Sequence, residues 1–206
     1  MRLISYTHNG KNKIGHLIDS DFIVDLSSQF DIDDMIHFII NKKYNDNRII
    51  SYINSNNYTP INISDVNIVS PIQPRSLRDA YAFRQHVETS RKNRGLDMIE
   101  EFDNFPVYYY SNADGVTGPG NIQIDDFFMG KLDFELEVAI VISKEGKNIP
   151  SNQADEYIAG LMIMNDFSAR DIQMNEMKLN LGPAKGKDFA TSLGPAIVTI
   201  DELSDN

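Results

Sequence analysis

Two glutamates two residues apart lead directly into an apolar run. The segment Asp133-Phe-Glu-Leu-Glu137 is followed by Val138-Ala-Ile-Val-Ile142. In a strand, Glu135 and Glu137 would project from the same side, with Cα atoms roughly 6.6 Å apart. Like charges at that separation repel each other, so the pair must face water, a cation or a shared proton. A solvated strand edge explains the pair as well as a site does, and both interpretations stay open.

An acid and a histidine lie seven residues apart in a stretch that we predict to be a helix over 79–94, ended by Gly95. Seven residues make two helical turns, so Asp79 and His86 would share one face, about 10 Å apart along the axis. An imidazole in such a place can activate water. The alternative is structural, with Asp79 capping the helix and His86 partly exposed.

A third polar segment follows an apolar strand predicted over 159–164. We expect a helix to begin at Asn165-Asp166, at a strand end of the kind where α/β-type proteins place ligands. Asp166, Arg170 and Gln173 then fall at i, i+4 and i+7 and share one helix face. The alternative for the Asp–Arg pair is a surface salt bridge.

The candidate residues are more informative together than singly. Oxygen ligands without sulfur select a hard cation, Mg²⁺ or Ca²⁺, with Mn²⁺ as a further alternative. A Gly-rich loop predicted over 183–192 adds Lys185 and Lys187, which on such a loop are ordinarily exposed. A donor group of Arg, Gln and Lys suits an oxygen that becomes negative during a reaction.

Mainly short strands must position these side chains. Residues 1–27 indicate a meander of strands with Asn9-Gly10 as the hairpin signal, and helices are predicted over 31–42 and near 47–55. The run over 132–143 predicts a strand, buried on both faces because it is apolar throughout its second half. Strands outnumber helices without a regular βαβ rhythm, which predicts a mixed α+β class. Further strands are predicted over 67–72, 106–110 and 196–200.

The composition excludes several classes of protein. The 206-residue chain has no cysteine, which excludes disulfide scaffolds, thiolate zinc sites, iron–sulfur clusters and cysteine nucleophiles. Asp and Glu (30) outnumber Lys and Arg (19), and the formal net charge of -11 argues against nucleic-acid binding. No apolar run approaches the roughly 20 residues of a membrane helix. The first residues lack the apolar core of a signal peptide, so we expect a cytoplasmic protein with no membrane partner.

Four segments in order, within a stretch from about residue 71 to 202, resemble the fumarylacetoacetate hydrolase family. They are Asp79-Ala-Tyr-Ala-Phe-Arg-Gln-His86, Asp133-Phe-Glu-Leu-Glu137, Met164-Asn-Asp-Phe-Ser-Ala-Arg-Asp-Ile-Gln173 and Gly186-Lys-Asp-Phe-Ala-Thr-Ser-Leu-Gly194. The resemblance implies a β-rich mixed fold, a β-roll of packed sheets with peripheral helices. It also implies a small N-terminal domain over 1–70 and a catalytic domain over 71–206.

The resemblance implies a role for each candidate residue. The implied metal ligands are Asp79, Glu135, Glu137 and Asp166. The implied catalytic and substrate-binding residues are His86 as the base, Arg170, Gln173 and Lys187 on the substrate oxyanion, and Tyr81 and Tyr109 along the pocket. It further implies a divalent cation with Mg²⁺ as the first choice, a small oxo-acid substrate, a homodimer and a place in the catabolism of aromatic compounds.

The implied reaction is hydrolysis of a carbon–carbon bond in a dioxo acid of the fumarylacetoacetate or acylpyruvate type. Relatives with the same ligands hydrate, isomerise or decarboxylate 2-oxo acids. Some of them carry a Glu three residues after the histidine, and Thr89 at that position favours hydrolysis. Phe167 replaces a frequent tryptophan.

Similar proteins continue past the equivalent of residues 201–206, through further strands and a Glu that partners the histidine. We therefore expect this chain to lack the C-terminal part of the family fold. The alternative from another class is a truncated, non-catalytic relative that keeps the metal ligands.

Overall fold

Twelve strands and seven α-helices make up the part of the chain, residues 1–203, that the computed structural model describes. The strands are β1 (Arg2–His8), β2 (Lys11–Leu17), β3 (Phe22–Asp25), β4 (Ile61–Asn62), β5 (Asn67–Val69), β6 (Leu77–Ala80), β7 (Tyr108–Ser111), β8 (Val116–Thr117), β9 (Leu132–Ile142), β10 (Ile158–Ala169), β11 (Thr191–Leu193) and β12 (Ile197–Thr199). The helices are α1 (Ser27–Phe30), α2 (Met35–Ile40), α3 (Asn47–Ser55), α4 (Arg84–Asn93), α5 (Glu101–Asn104), α6 (Arg170–Lys178) and α7 (Ile200–Leu203).

One ten-stranded sheet dominates the fold, in the order β4-β3-β2-β1-β12-β10-β11-β8, with β5 added to β1 and β9 to β10. All its pairs are antiparallel except β11–β8. Strands β6 and β7 form a separate two-stranded sheet. The protein is thus a mixed α+β, β-rich fold, as predicted. Since β1 pairs with β12, the large sheet runs across residue 70, and the two-domain division stays a prediction.

The N-terminal meander forms as predicted because its turn chemistry is local. Asn9 and Gly10 both have positive φ, 51° and 73°, the conformation that a two-residue hairpin turn requires. Helix α2 begins later than predicted, at Met35, because the Asp34 side chain accepts the N–H groups of Ile36 and His37 at 2.7 and 3.2 Å. The predicted helix at 47–55 is confirmed as α3.

The larger of two hydrophobic clusters within residues 1–203 joins the N-terminal helices to strands β9 to β12 of the sheet. Burial of these side chains is the main favourable contribution to folding. The members with almost no exposure include Leu3, Ile14, Val24, Leu26, Phe38, Ile39, Ile49, Leu193 and Ile197.

Two predicted helix starts are wrong, and both errors concern site residues. Asp79 lies in β6, opposite Tyr109 of β7, so it shares no helix face with His86 on α4. Asp166 lies in β10, which continues to Ala169. In both cases a partner strand distant in sequence supplies backbone hydrogen bonds, which outweighs the local preference for a helix.

Strand β9 is also less buried than predicted. Its side chains alternate, so Glu135, Glu137, Ala139 and Val141 are turned to the more buried face. The opposite face is apolar but exposed: in the structure of residues 1–203, between 37% and 71% of the surface of each of its residues is accessible to solvent. They are Leu132, Phe134, Leu136, Val138, Ile140 and Ile142. None of the helices within residues 1–203 is long and apolar enough to cross a membrane.

A buried histidine should make folding pH-dependent. His16 of β2 is 9% exposed, its Nδ1 accepts the Arg2 N–H at 3.2 Å, and burial lowers its pKa to about 4. The unfolded chain, with a histidine pKa of about 6.5, takes up this proton first as the pH falls, so stability falls with it. We expect the free energy of unfolding to be about 2 kcal/mol lower at pH 5 than at pH 8 because of this residue.

Urea unfolding at the two pH values checks this expectation. Because raised carboxyl pKa values elsewhere make stability change in the opposite direction over this range, the measurement is the difference between each variant and wild type. His16→Gln keeps an acceptor for Arg2, and its free energy of unfolding relative to wild type should be about 2 kcal/mol more favourable at pH 5 than at pH 8. The exposed His37, changed to Gln, is the matched control, and its difference from wild type should be the same at both pH values. An equal pH dependence in wild type and His16→Gln would contradict the assignment.

Candidate metal and catalytic site

Antiparallel pairing of β9 and β10 brings acidic residues together on one face. Glu135 lies directly opposite Asp166, and Glu137 lies opposite Met164. The two-stranded sheet contributes Asp79 from its own strand β6. One carboxylate oxygen from each of the four acids lies within 4.8 Å of the others. The structure therefore gathers all four predicted metal ligands, by strand pairing rather than by a shared helix face.

The carboxylates of this cluster raise the cost of ionisation for one another. Burial raises the pKa of Glu137 to about 8, and the charges of Asp79, Asp166 and Glu135 add to this rise. Burial also raises the pKa of Asp166 to about 6. The cluster is thus short of positive charge at neutral pH.

Two cationic side chains supply part of that charge. The Lys187 Nζ lies 2.7 Å from Glu135 Oε2 and 2.6 Å from Asp166 Oδ2. The Arg170 Nη1 donates to Glu135 Oε1 at 2.6 Å. Burial opposes ionisation of Glu135, but the hydrogen bonds from Lys187 and Arg170 outweigh it and hold the pKa of Glu135 below its usual range. Lys187 is only 2% exposed, so a lysine on a Gly-rich loop is here a buried part of the site.

Neutral donors complete the surroundings of the cluster. The Tyr109 hydroxyl lies 2.6 Å from Asp79 Oδ2 and 3.0 Å from Asp166 Oδ2, and it can donate to either. Gln173 accepts from Arg170 Nη1 at 3.1 Å through Oε1, which leaves its amide NH₂ group to donate elsewhere. Arg170 and Gln173 therefore meet on α6 as predicted, with Asp166 approaching from β10 instead.

The residues of the cluster fit a divalent cation. Within residues 1–203, Asp166 Oδ1 is a buried oxygen without a hydrogen-bond partner, which is costly unless something positive lies beside it. All four acids offer oxygen, the donor type that Mg²⁺, Ca²⁺ and Mn²⁺ accept.

His86 and Tyr81 are not among the four residues of the carboxylate cluster. His86 is exposed on α4. It lines a cavity of about 300 Å³ with Tyr81, and the wall combines apolar side chains with the polar Ser90, Arg91, Arg94 and Glu101. That wall includes Val87, Ile99, Phe102, Phe105 and Val107. The predicted role of His86 as a base stays a prediction.

Sequence reasoning missed two acidic residues near the site. Asp133 accepts a hydrogen bond from Arg170 Nε at 2.9 Å. Its position two residues before Glu135, on the same side of a strand, could have indicated that it belongs to the site. Glu176 accepts backbone N–H groups from the Lys187 loop. No local pattern marks Glu176, because its partners lie eight to ten residues further along the chain.

The mixed β-rich architecture carries a cluster of four carboxylates that could hold a metal ion through oxygen atoms alone. Residues 76–206 match the family model described as the fumarylacetoacetate (FAA) hydrolase C-terminal domain. The chain belongs to the fumarylacetoacetate hydrolase family.

Known proteins resemble the chain in sequence and in fold. The fumarylacetoacetase of Arabidopsis thaliana is 53% identical over 166 residues, which cover 68% of this chain and 38% of that relative. The aligned chain thus spans well under two thirds of this relative. Fumarylacetoacetate hydrolase from Exiguobacterium antarcticum superposes with a TM-score of 0.68 at 21% identity, covering 98% of this chain and 67% of that one. Maleylpyruvate hydrolase from Sphingobium sp. SYK-6, solved with manganese(II) and pyruvate, gives 0.69 at 17% identity, covering 98% and 68%.

Removing the buried ammonium tests how charge is balanced in the cluster. Lys187→Met should destabilise the metal-free protein by about 3 kcal/mol, because it leaves buried carboxylates uncompensated. Mg²⁺ should then raise the melting temperature of this variant more than that of wild type, since the cation replaces the lost charge.

Thermal melts in MgCl₂ and in KCl of equal ionic strength measure the effect. Lys185→Met, on the same loop but exposed, is the control and should respond like wild type. If Mg²⁺ stabilises Lys187→Met no more than wild type, the cation does not replace the lost ammonium, and if Mg²⁺ stabilises neither protein, the cluster is not a cation site.

Proposed function

We propose that the protein is a metal-dependent hydrolase that cleaves a carbon–carbon bond in a small dioxo acid of the fumarylacetoacetate or acylpyruvate type. The observation that carries the proposal is the cluster of four carboxylates with a buried lysine and an arginine beside it. Family membership supports it, because the relatives are named as hydrolases of this kind.

The proposed cofactor is one divalent cation, Mg²⁺ in the first place, held by Asp79, Glu135, Glu137 and Asp166. Bound there, it would supply Lewis-acid chemistry by polarising the oxygens of the dioxo acid. Mn²⁺ is a suitable probe, since it binds similar oxygen ligands. Manganese also occupies the maleylpyruvate hydrolase that shares this fold.

In the proposed reaction His86 removes a proton from water. The water oxygen then bonds to the distal carbonyl carbon. The carbon–carbon bond breaks, its electron pair passes into the leaving fragment as an enolate, and the proton returns to that fragment from His86. Because His86 is exposed on α4, this role requires that α4 bring it to the substrate carbonyl.

Arg170, Gln173 and Lys187 are the proposed donors to the oxyanion that forms at the attacked carbonyl. Donors fixed before the reaction stabilise such a charge by several kcal/mol in other enzymes. Ion pairs fix Arg170 and Lys187 in this structure. The amide of Gln173 is held through its oxygen. Tyr109 beside the carboxylates and Tyr81 beside His86 are the proposed pocket residues.

Two other functions are separable by experiment. Isomerisation, hydration or decarboxylation of a 2-oxo acid would use the same ligands. Mass spectrometry distinguishes them, because isomerisation conserves the substrate mass, hydration adds one water, decarboxylation loses CO₂, and hydrolysis gives two organic fragments whose masses sum to substrate plus water. A non-catalytic metal-binding role is favoured by one observation, the position of His86 outside the carboxylate cluster. It predicts Mn²⁺ binding without turnover.

Glu135→Gln tests the proposal directly. Replacing one ligand carboxylate should weaken Mn²⁺ binding by about tenfold or more and abolish turnover of acylpyruvates, because the amide carries no charge for the cation. Calorimetric titration with Mn²⁺ and product analysis measure the two effects. Glu145→Gln, an exposed acid after β9, is the control. Survival of both binding and turnover in Glu135→Gln would refute the metal assignment.

We also propose that the protein is a homodimer. The exposed apolar face of β9 supports this, because monomers rarely expose a contiguous apolar surface of this kind. Light scattering should give twice the chain mass. Leu136→Lys should shift it to the single mass, whereas Leu179→Lys, an equally exposed leucine after α6, should not. A single mass for wild type would contradict the proposal.

A further inference from the structure

The loop that carries Lys187 must hold a long side chain in one place. Its ammonium lies within 2.7 Å of two carboxylates while its backbone belongs to a Gly-containing turn. Glycines allow such a turn many conformations, so the loop needs contacts of its own to select one. Gly186 shows how close the loop comes to α6, since a Cβ there would lie 2.8 Å from the backbone nitrogen of Gln173.

Glu176 of α6 supplies those contacts. Its Oε1 accepts the Lys185 N–H at 2.8 Å, and its Oε2 accepts the N–H groups of Gly186 and Ala184 at 3.1 and 3.2 Å. Burial alone would raise the pKa of Glu176, but these three donors outweigh it and hold that pKa below the usual range. Hydrogen bonds to a charged acceptor are about twice as strong as neutral ones.

The loop is also fixed at three other points. The Gly186 carbonyl accepts the N–H of Ala169, the last residue of β10, at 2.8 Å. The Ala184 carbonyl accepts the N–H groups of Lys187 and Asp188, both at 2.8 Å. The Asn112 side chain donates to the Asp188 carbonyl at 3.0 Å. Glu176 is the charged member of this set, and it lies on the helix that carries Arg170 and Gln173.

We propose that Glu176 is a positioning residue, which fixes the loop so that the Lys187 ammonium lies between Glu135 and Asp166. The value of this placement for catalysis rests on the proposed function. One helix then sets the whole donor group, because α6 holds Arg170 and Gln173 directly and Lys187 through the loop. Within residues 1–203 the hydrogen bonds of the Glu176 carboxylate go to the backbone of the loop and not to the four-carboxylate cluster, so it acts through Lys187.

Chemical labelling of lysines tests the placement without metal or substrate. Acetic anhydride followed by peptide mass spectrometry gives the rate for Lys187 relative to Lys185, an exposed lysine on the same loop. In wild type, Lys187 should react far more slowly. In Glu176→Ala the ratio should rise about tenfold, as expected when a charge-assisted hydrogen bond no longer opposes loop opening. Glu176→Gln keeps one acceptor oxygen and should lie between the two.

Two controls separate positioning from general loss of structure. Glu145→Gln removes an exposed acid far along the chain from the loop and should leave the ratio unchanged. The labelling rate of Lys13, paired with Asp25 in the N-terminal sheet, should stay the same in every variant. A Lys187 ratio in Glu176→Ala equal to that of wild type would overturn the proposal, and so would a parallel rise at Lys13.

Kinetics add a readout that separates this inference from the proposed function. With an acylpyruvate and saturating Mg²⁺, which removes any effect on cation binding, Glu176→Ala should lower kcat about tenfold with little change in KM, because the proposed contact of Lys187 with substrate strengthens when the oxyanion forms. Glu176→Gln should recover part of kcat. No turnover by wild type would refute the proposed function, while the labelling ratio would still decide whether Glu176 places Lys187.

Discussion

The rest of the site depends on one constraint, the mutual repulsion among four carboxylates. One oxygen of each carboxylate lies within 4.8 Å of the others. Buried like charges are tolerated only when protons or cations compensate them. The chain meets this demand with Lys187 and Arg170 and leaves Asp166 Oδ1 without a hydrogen-bond partner among the described residues. The negative charge that Lys187 and Arg170 leave uncompensated is what the proposed divalent cation would balance.

The β9–β10 pair explains how the fold meets this constraint. The antiparallel register is continuous from the Ala169–Leu132 pair to the Gly160–Val141 pair. It places Glu135 directly opposite Asp166. Alternation along β9 then sends its acids to one face and its large apolar side chains to the other. Helix α6 begins where β10 ends, so the strand that presents Asp166 also orients the helix that presents Arg170.

Sequence patterns predicted the local parts of this arrangement. The Asn9-Gly10 hairpin, helix α3, strand β9 and the shared side of Glu135 and Glu137 are confirmed, because turn chemistry and period-two alternation act within a few residues. Two helix starts were wrong at Asp79 and Asp166, where strands distant in sequence determine the conformation.

By itself, the sequence determined the family, the oxygen-only donor set and the acidic residues from which a cation site can be built. Those properties depend only on the residue types and their order along the chain, which can be read without knowing the fold. Only the tertiary structure decided that the four acids meet through strand pairing and that Lys187 is buried between two of them. It also decided that Glu176 holds the lysine loop. These contacts join distant segments, and their geometry is set by sheet register and backbone hydrogen bonding rather than by spacing along the chain.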